Sequence, residues 1–416
     1  MFLCVQNVLC ACSSKNTLDM VDDIDIDEFR ADPLGWTMKV IKHPFGEFSM
    51  AAVQANEDME DFSQVEIDKE ALFVGIYDGE NGVIASEFLS QSLLPALLFL
   101  IKQNGENMSE DILRDVVDRM EKRFMLDADE LHYHQPERVQ ASSSCLCCII
   151  WKGRLYIANL GDSRAVMGSL GPFDILRVQQ LVRDHNAGNR HIKVELARLH
   201  PDDPNIVMYH RDAWRVRGIS KVSRCIGNAY LKRERFTLDP SFEVPRTELA
   251  PSDFTRTLLS AEPEIHSRVL RDSNKFIIFG SGGLWKLLTN EEAAKIVNTN
   301  PREGIAKRLV RIALEVAARE KNITYNELLK LPKGHDFTKG PSVSFERTRR
   351  SYHDDISVTV VFLDKTPDID MSVMRDVIPS VPTINSFRSF HDTALRSCFH
   401  RMYAPEPVII RSTVDF

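Results

Sequence analysis

Short apolar runs and longer amphipathic stretches follow one another from residue 46 onward. Runs of strand length are typical of buried β-strands, whereas apolar residues spaced by three and four positions predict amphipathic helices. The apolar runs predict strands at 48–55, 71–77, 144–151, 155–159, 164–168, 176–181, 205–208, 275–280 and 356–363. The helical spacing predicts helices at 82–103, 109–126, 188–199, 290–298 and 302–319.

The order of these elements indicates the fold class. Strands come in groups and helices come in pairs, without the strict alternation that a doubly wound parallel sheet requires. Lys152 and Gly153 separate two of the strands, and this pair is suited to a hairpin turn. We therefore expect an α+β fold, with antiparallel sheets and helices packed outside them.

The two ends of the chain differ from its middle. Residues 1–45 hold an acidic patch and no periodicity, so we expect a poorly ordered lead-in before a main domain at 46–364. Prolines recur in residues 365–416, which predicts a flexible tail. A candidate basic amphipathic helix lies within it, and such a helix can meet a membrane surface or dock on a domain. Its apolar positions are Phe387, Phe390, Leu395, Cys398, Phe399 and Met402.

Composition narrows the class of protein. The net charge of −8 argues against nucleic acid as a main partner. The eight cysteines are spaced neither as a zinc site nor as a secreted disulfide framework, so we expect reduced thiols in an intracellular protein of the cytoplasm or nucleus. Cys10 and Cys12 are candidates for acylation, which would give peripheral contact with the plasma membrane. Nothing in the sequence indicates oligomerisation, and we expect a monomer.

Acidic residues recur where the predicted strands end. Asp78 follows one strand directly, Glu60 and Asp61 precede another apolar run, and Asp162 and Asp354 lie beside two more. One such residue is usually a cap or a turn residue. Several facing one pocket are what the hydrolysis of a phosphate ester by two hard cations needs.

Five motifs in the chain resemble those of the metal-dependent serine/threonine protein phosphatases of type 2C. In chain order they are Phe73–Gly79, Ala158–Val166, Val222–Gly227, Phe276–Trp285 and His353–Val358. They appear in the family's order across residues 46–364. The segments His200–Pro204 and His353–Ile356 further resemble the plant group called clade D, which is linked to dephosphorylation of the plasma-membrane proton pump and to inhibition by small auxin-induced proteins.

The resemblance implies a fold, an activity and a cofactor. The fold is a pair of packed antiparallel sheets flanked by helix pairs. The activity is hydrolysis of phosphoserine and phosphothreonine in proteins by metal-activated water, with Mg²⁺ or Mn²⁺ as a pair of ions in each subunit. Asp78 is then the ligand that bridges both ions, the carbonyl of Gly79 binds one ion and Asp354 binds the other.

Further positions take supporting roles by the same resemblance. Glu60 and Asp61 match the acidic pair that orders metal-bound water. Asp162 matches an aspartate near a third metal site. The partners expected of such a protein are a phosphoprotein substrate or a regulatory protein.

Three positions depart from the family's pattern. Gly282 stands where the family has a metal-binding Asp, Glu80 replaces the His that serves as general acid, and Asn228 replaces an Asp. A lost carboxylate weakens the hold on two mutually repelling cations, and an ionised Glu is a poor proton donor unless it serves as a substitute ligand. Asn56 also stands where many members have a phosphate-binding Arg. We therefore expect a phosphatase whose activity is weak or lost, or alternatively an inactive pseudophosphatase that acts as a binding or regulatory module.

Overall fold

The computed structural model describes most of the predicted main domain. The described residues are 3–5, 36–132, 134–210, 213–233, 236, 257–334 and 348–364. The candidate helix of the tail, Cys10, Cys12 and Cys398 lie outside the described residues, and the predictions about them stay predictions.

The described part of the chain contains seventeen strands and seven α-helices. They are β1 (Leu3–Val5), β2 (Trp36–His43), β3 (Gly46–Val53), β4 (Phe62–Ile67), β5 (Ala71–Tyr77), β6 (Gly79–Glu80), β7 (Ser142–Ser143), β8 (Cys145–Trp151), β9 (Arg154–Leu160), β10 (Arg164–Leu170), β11 (Leu176–Gln180), β12 (Val207–His210), β13 (Ala213–Val216), β14 (Ile226–Gly227), β15 (Glu264–Val269), β16 (Asn274–Gly280) and β17 (Ile356–Phe362). The α-helices are α1 (Ile84–Gln103), α2 (Glu110–Leu131), α3 (Arg190–Leu199), α4 (Gly282–Trp285), α5 (Asn290–Thr299), α6 (Ile305–Glu320) and α7 (Tyr325–Lys330).

Two large antiparallel sheets form the centre of the molecule. The first has the strand order β1-β4-β5-β8-β9-β15 and the second β11-β10-β16-β17-β3-β2. Every neighbouring pair within both sheets is antiparallel. This confirms the predicted α+β class with two packed antiparallel sheets.

Helices cover both outer faces of the sheets. α1 and α2 pack on the first sheet, and α5 and α6 pack on the second. One apolar core lies between the sheets and contains Phe48, Val74 and Phe279, while a second core lies under α5 and α6. The order of layers is therefore helix, sheet, sheet, helix.

The helix α1 is long and apolar enough to cross a membrane, by length and composition alone. Most of its apolar residues are buried in the domain, with Leu89, Leu93 and Leu97 fully covered. Burial of this kind is what a core helix of a sandwich needs, so the apolar character of α1 is explained by packing.

The pattern of apolar residues did not predict several strands, because polar residues interrupt them. β4 carries Gln64 and Glu66 in its interior, yet all six of its residues are buried and these two side chains bond to each other at 3.0 Å. β2 alternates lysines with apolar residues at the edge of the second sheet. It lies within the predicted lead-in, so ordered structure begins before residue 46.

The hairpin predicted at Lys152 and Gly153 is present between β8 and β9. Both residues have positive φ, at 48° and 75°. Positive φ at both central positions is what a type I′ turn requires, and glycine accepts it without strain.

The topology brings the motif-bearing loops to one end of the sandwich. β5 ends where β4 begins, and β17 begins where β16 ends, because each pair is antiparallel and in register. Arg164, at the start of β10, lies opposite Gly280 at the end of β16. The loops that hold Glu60, Asp78, Asp162, Gly282 and Asp354 therefore leave the sheets at the same end.

Candidate active site

Asp78 lies at the junction of the two sheets. Its carbonyl accepts a hydrogen bond from the Ser144 N–H at 2.8 Å, which fixes the backbone after β5. Its Oδ2 accepts a hydrogen bond from the Gly282 N–H, also at 2.8 Å. Gly79 follows in a tight space, since a Cβ there would lie 2.5 Å from the Glu60 carbonyl oxygen. Glycine is therefore required beside Asp78 whether or not its carbonyl binds an ion.

Asp355 holds the acidic loop before β4 in place. Its Oδ1 accepts hydrogen bonds from the Ala55 and Asn56 N–H groups at 2.6 and 3.1 Å. Its Oδ2 accepts from the Glu60 N–H at 2.8 Å and from the Asn56 side-chain amide at 3.0 Å. A buried carboxylate with four N–H donors is a structural anchor. Asn56, in the place of a phosphate-binding Arg, thus donates hydrogen bonds to Asp355.

Three carboxyl groups of this region, Asp61, Glu60 and Asp78, are difficult to ionise. Burial, followed by the charges of Asp78 and Asp355, raises the pKa of Asp61 well above its usual range. Burial and then the charge of Asp355 raise the pKa of Glu60 to about 7, although Arg350 and the Gly82 N–H oppose this. Burial and then Asp162 raise the pKa of Asp78 itself to about 7. Burial is the first cause of each rise, so the ionised forms of these groups are unfavourable unless a cation compensates them.

Asp162 occupies the space that a side chain at position 282 would enter. A Cβ built on Gly282 would lie 2.6 Å from Asp162 Oδ1 and 2.9 Å from its Oδ2. The Asn186 side chain donates to Asp162 Oδ2 at 3.2 Å and orients it. The carboxylate missing from position 282 therefore leaves no void, because Asp162 lies against the glycine backbone.

Three cationic side chains surround Asp354. Lys286 Nζ donates to its Oδ2 at 3.0 Å, and Lys221 Nζ lies 3.7 Å from the same oxygen. The Arg350 guanidinium contacts the other oxygen, Oδ1. The Asp355 N–H also donates to Oδ1, at 3.1 Å. Both oxygens of the predicted metal ligand are thus engaged by the protein itself.

The remaining departures lie at the edge of this region. Glu80 is on β6, opposite Ser142, and its charge opposes the lowering of the Lys221 pKa that Lys286 causes. Its use as a substitute ligand stays a prediction. Asn228 has a left-handed backbone, with φ 54° and ψ 53°, and its N–H donates to the Ala141 carbonyl. Asn tolerates this conformation better than most residues, which gives position 228 a backbone role.

The sequence prediction names the carboxylates and omits the cations that contact Asp354. Lys286 directly follows the Gly-Gly-Leu-Trp segment, and Arg350 precedes Asp354 by four residues, so both were visible beside a motif. Lys221 lies far away in the sequence and is brought in by the fold. Counting charged residues beside each motif would have pointed to Lys286 and Arg350. No feature of the neighbouring sequence indicates that Lys221 contacts Asp354.

The arrangement does not fit the two-metal centre that the resemblance implies. Divalent Mg²⁺ and Mn²⁺ are held by oxygen ligands, chiefly carboxylates. Among the described residues, no group of three or more His, Cys, Asp and Glu side chains is placed to hold a metal ion. Position 282 offers no carboxylate, and the oxygens of Asp354 face Lys286, Lys221 and Arg350.

Replacement of Asp78 by Asn is expected to stabilise the metal-free protein, increasingly so as pH rises. The folded-state pKa of Asp78 is about 7, above its unfolded value of about 4. The folded state therefore loses stability as pH rises from 4 to 7, and Asp78→Asn removes that loss. We expect the variant's advantage in free energy of unfolding to grow by about 1–3 kcal/mol over this range and to stay constant above it. Urea titrations of both proteins across pH measure it, and an advantage independent of pH would contradict the assignment.

Relatives of the chain match it over most of its length. The sequence profile of protein phosphatase 2C matches residues 46–322. "Probable protein phosphatase 2C 43" of Oryza sativa subsp. japonica is 45% identical over 368 residues, which cover 88% of this chain and 89% of the relative. "Probable protein phosphatase 2C 68" of Arabidopsis thaliana is 44% identical over 337 residues, covering 80% and 81%.

Solved structures share the fold at low sequence identity. The serine-threonine phosphatase 2C from Toxoplasma gondii matches with a TM-score of 0.53 and 18% identity, covering 79% of this chain and 98% of that one. A sex-determining protein of C. elegans matches with a TM-score of 0.52 and 16% identity, covering 80% and 66%. These likenesses support the layered fold. The sequence profile and the plant relatives identify the family of the chain. The chain belongs to the protein phosphatase 2C family.

Proposed function

We propose that this chain recognises phosphoserine and phosphothreonine in proteins through the phosphatase 2C site and that its own hydrolysis is weak or lost. The observation that carries the proposal is the contact of Asp354 with Lys221, Lys286 and Arg350. The family generally depends on Mg²⁺ or Mn²⁺. Here protein cations neutralise the carboxylate that the second ion would need.

The missing general acid supports the same conclusion. Glu80 stands where the resemblance places a His, and an ionised carboxylate does not protonate the leaving serine or threonine oxygen. Acid catalysis contributes typically about 10²–10⁴-fold to rate. Loss of the acid and loss of a metal ligand would both lower the rate of phosphate-ester hydrolysis.

A second candidate function is slow metal-dependent hydrolysis. It is favoured by the half of the site that contains Asp78, Glu60 and Asp61, because burial, their first cause of a raised pKa, makes their ionised forms unfavourable and a bound cation would offset this. The two functions differ in turnover and agree in the phosphoprotein they recognise.

A phosphothreonine peptide tests the proposal in the presence of saturating Mn²⁺. We expect saturable binding by fluorescence anisotropy that the unphosphorylated peptide does not show. Release of phosphate is expected at no more than about 10⁻² s⁻¹, against about 1–10³ s⁻¹ for typical enzymes. Turnover above about 10⁻² s⁻¹ that Asp78→Ala abolishes would establish the second candidate instead, and absence of phosphate-dependent binding would exclude the first.

A further inference from the structure

Three separate segments supply the cations at Asp354. Lys286 directly follows α4, Lys221 lies between β13 and β14, and Arg350 lies in the short 3₁₀ turn Arg349–Ser351. We call Lys221, Lys286 and Arg350 the basic cluster. All three contact the carboxylate of Asp354, so the fold brings cations from distant parts of the chain together at this residue.

The basic cluster holds more positive charge than Asp354 balances. Lys221 Nζ and Lys286 Nζ lie 3.7 and 3.0 Å from the same oxygen, Asp354 Oδ2, and the Arg350 guanidinium contacts Oδ1, so three cations share one carboxylate. The ammonium groups therefore repel one another, and a further anion would relieve this repulsion.

Other charges face the basic cluster from the neighbouring loops. Asp78 lies close enough for Lys286 and Lys221 to lower its pKa, although burial and Asp162 dominate. Arg350 likewise lowers the pKa of Glu60, although burial and the charge of Asp355 raise that pKa by more. A ligand must therefore approach the cluster from solvent. The side chains of Lys221, Lys286 and Arg350 are 25%, 40% and 31% exposed, which leaves that approach open.

A phosphomonoester suits a site of this composition. It carries close to two negative charges at neutral pH and three strong acceptor oxygens. Arg presents a fork of N–H donors that matches phosphate, and each Lys adds a compact charge with three donors. In the family, by resemblance, metal ions neutralise the phosphoryl oxygens, and here the fixed cations Lys221, Lys286 and Arg350 are placed for that task.

We propose, building on the proposed function, that the basic cluster binds the phosphoryl group of a phosphoserine or phosphothreonine side chain directly and without a divalent ion. Binding forms and breaks no covalent bond. Asp354 holds the three cations in place and is not itself a ligand for the phosphate. The centre would then recognise a phosphorylated protein under conditions in which a two-metal phosphatase does not.

The full chain in EDTA provides the test, with a fluorescein-labelled phosphothreonine peptide as the probe. We expect saturable binding that the unphosphorylated peptide lacks and that inorganic phosphate competes away. Lys286→Gln should weaken binding about tenfold, and Lys221→Gln with Lys286→Gln about a hundredfold, since charged hydrogen bonds of this kind are each worth about one decade. Lys295→Gln, an exposed position on α5, is the control and should bind as the unsubstituted chain does. Thermal unfolding of each variant confirms that it is folded.

The outcomes separate this inference from the function on which it rests. Phosphate-dependent binding in EDTA that the lysine substitutions weaken supports the inference. Binding that appears only with Mn²⁺, or that the substitutions leave unchanged, overturns it and leaves phosphoprotein recognition standing. Absence of binding both in EDTA and in Mn²⁺ overturns both.

Discussion

Restoring the family's residues while removing the two lysines is expected to raise Mn²⁺-dependent hydrolysis of a phosphothreonine peptide by at least about 100-fold. The variant is Gly282→Asp, Glu80→His, Lys221→Gln and Lys286→Gln. It returns a carboxylate and an acid to the site, and it removes two of the three cations that contact Asp354. The measurement is phosphate release at saturating Mn²⁺ and in EDTA.

A double variant that keeps both lysines is the matched control. Gly282→Asp with Glu80→His restores the family's motifs and leaves Asp354 neutralised, so we expect it to gain little. The new aspartate must also displace the Asp162 carboxylate, which lies 2.6 Å from the built Cβ. Equal activity of the double and fourfold variants would show that the lysines do not restrain catalysis.

Asp355→Ala is expected to destabilise the fold by about 3–5 kcal/mol. The substitution leaves four N–H donors without their acceptor, three of them in the backbone around Ala55, Asn56 and Glu60. Each buried donor left unpaired costs about 1–3 kcal/mol. The midpoint of thermal unfolding should therefore fall by at least about 6 °C.

Asp355→Asn separates charge from hydrogen bonding at this position. The amide keeps one acceptor oxygen and turns an N–H₂ group toward donors, so we expect an intermediate loss of stability. A midpoint for Asp355→Ala within about 1 °C of the unsubstituted protein would mean that water replaces the carboxylate and that Asp355 is not an anchor.

The layers of the fold were predictable because buried strands and helices require apolar residues at regular positions in the sequence. β5 and β8 are nearly continuous apolar runs, since both of their faces are covered. β4 was not predictable in this way. Its buried Gln64 donates a hydrogen bond to Glu66, and local composition does not reveal a partner two residues away on the same strand.

The candidate site was predictable in its carboxylates and unpredictable in its electrostatics. Asp78 and Asp354 follow from motif order, and the missing carboxylate at Gly282 follows from the same comparison. The contact of Lys221 with Asp354 depends on tertiary structure, because 133 positions separate them in a sequence whose helices and strands lie between. Position 282 illustrates the same limit, since only the structure shows Asp162 against the glycine.

The central claim is that cations of the protein take the place of the second metal ion. The most direct measurement is the number of Mn²⁺ ions bound per chain, by equilibrium dialysis at millimolar free Mn²⁺, for the unsubstituted chain and the fourfold variant. We expect no more than one ion in the unsubstituted chain and a second ion in the variant. Two ions bound by the unsubstituted chain would contradict it.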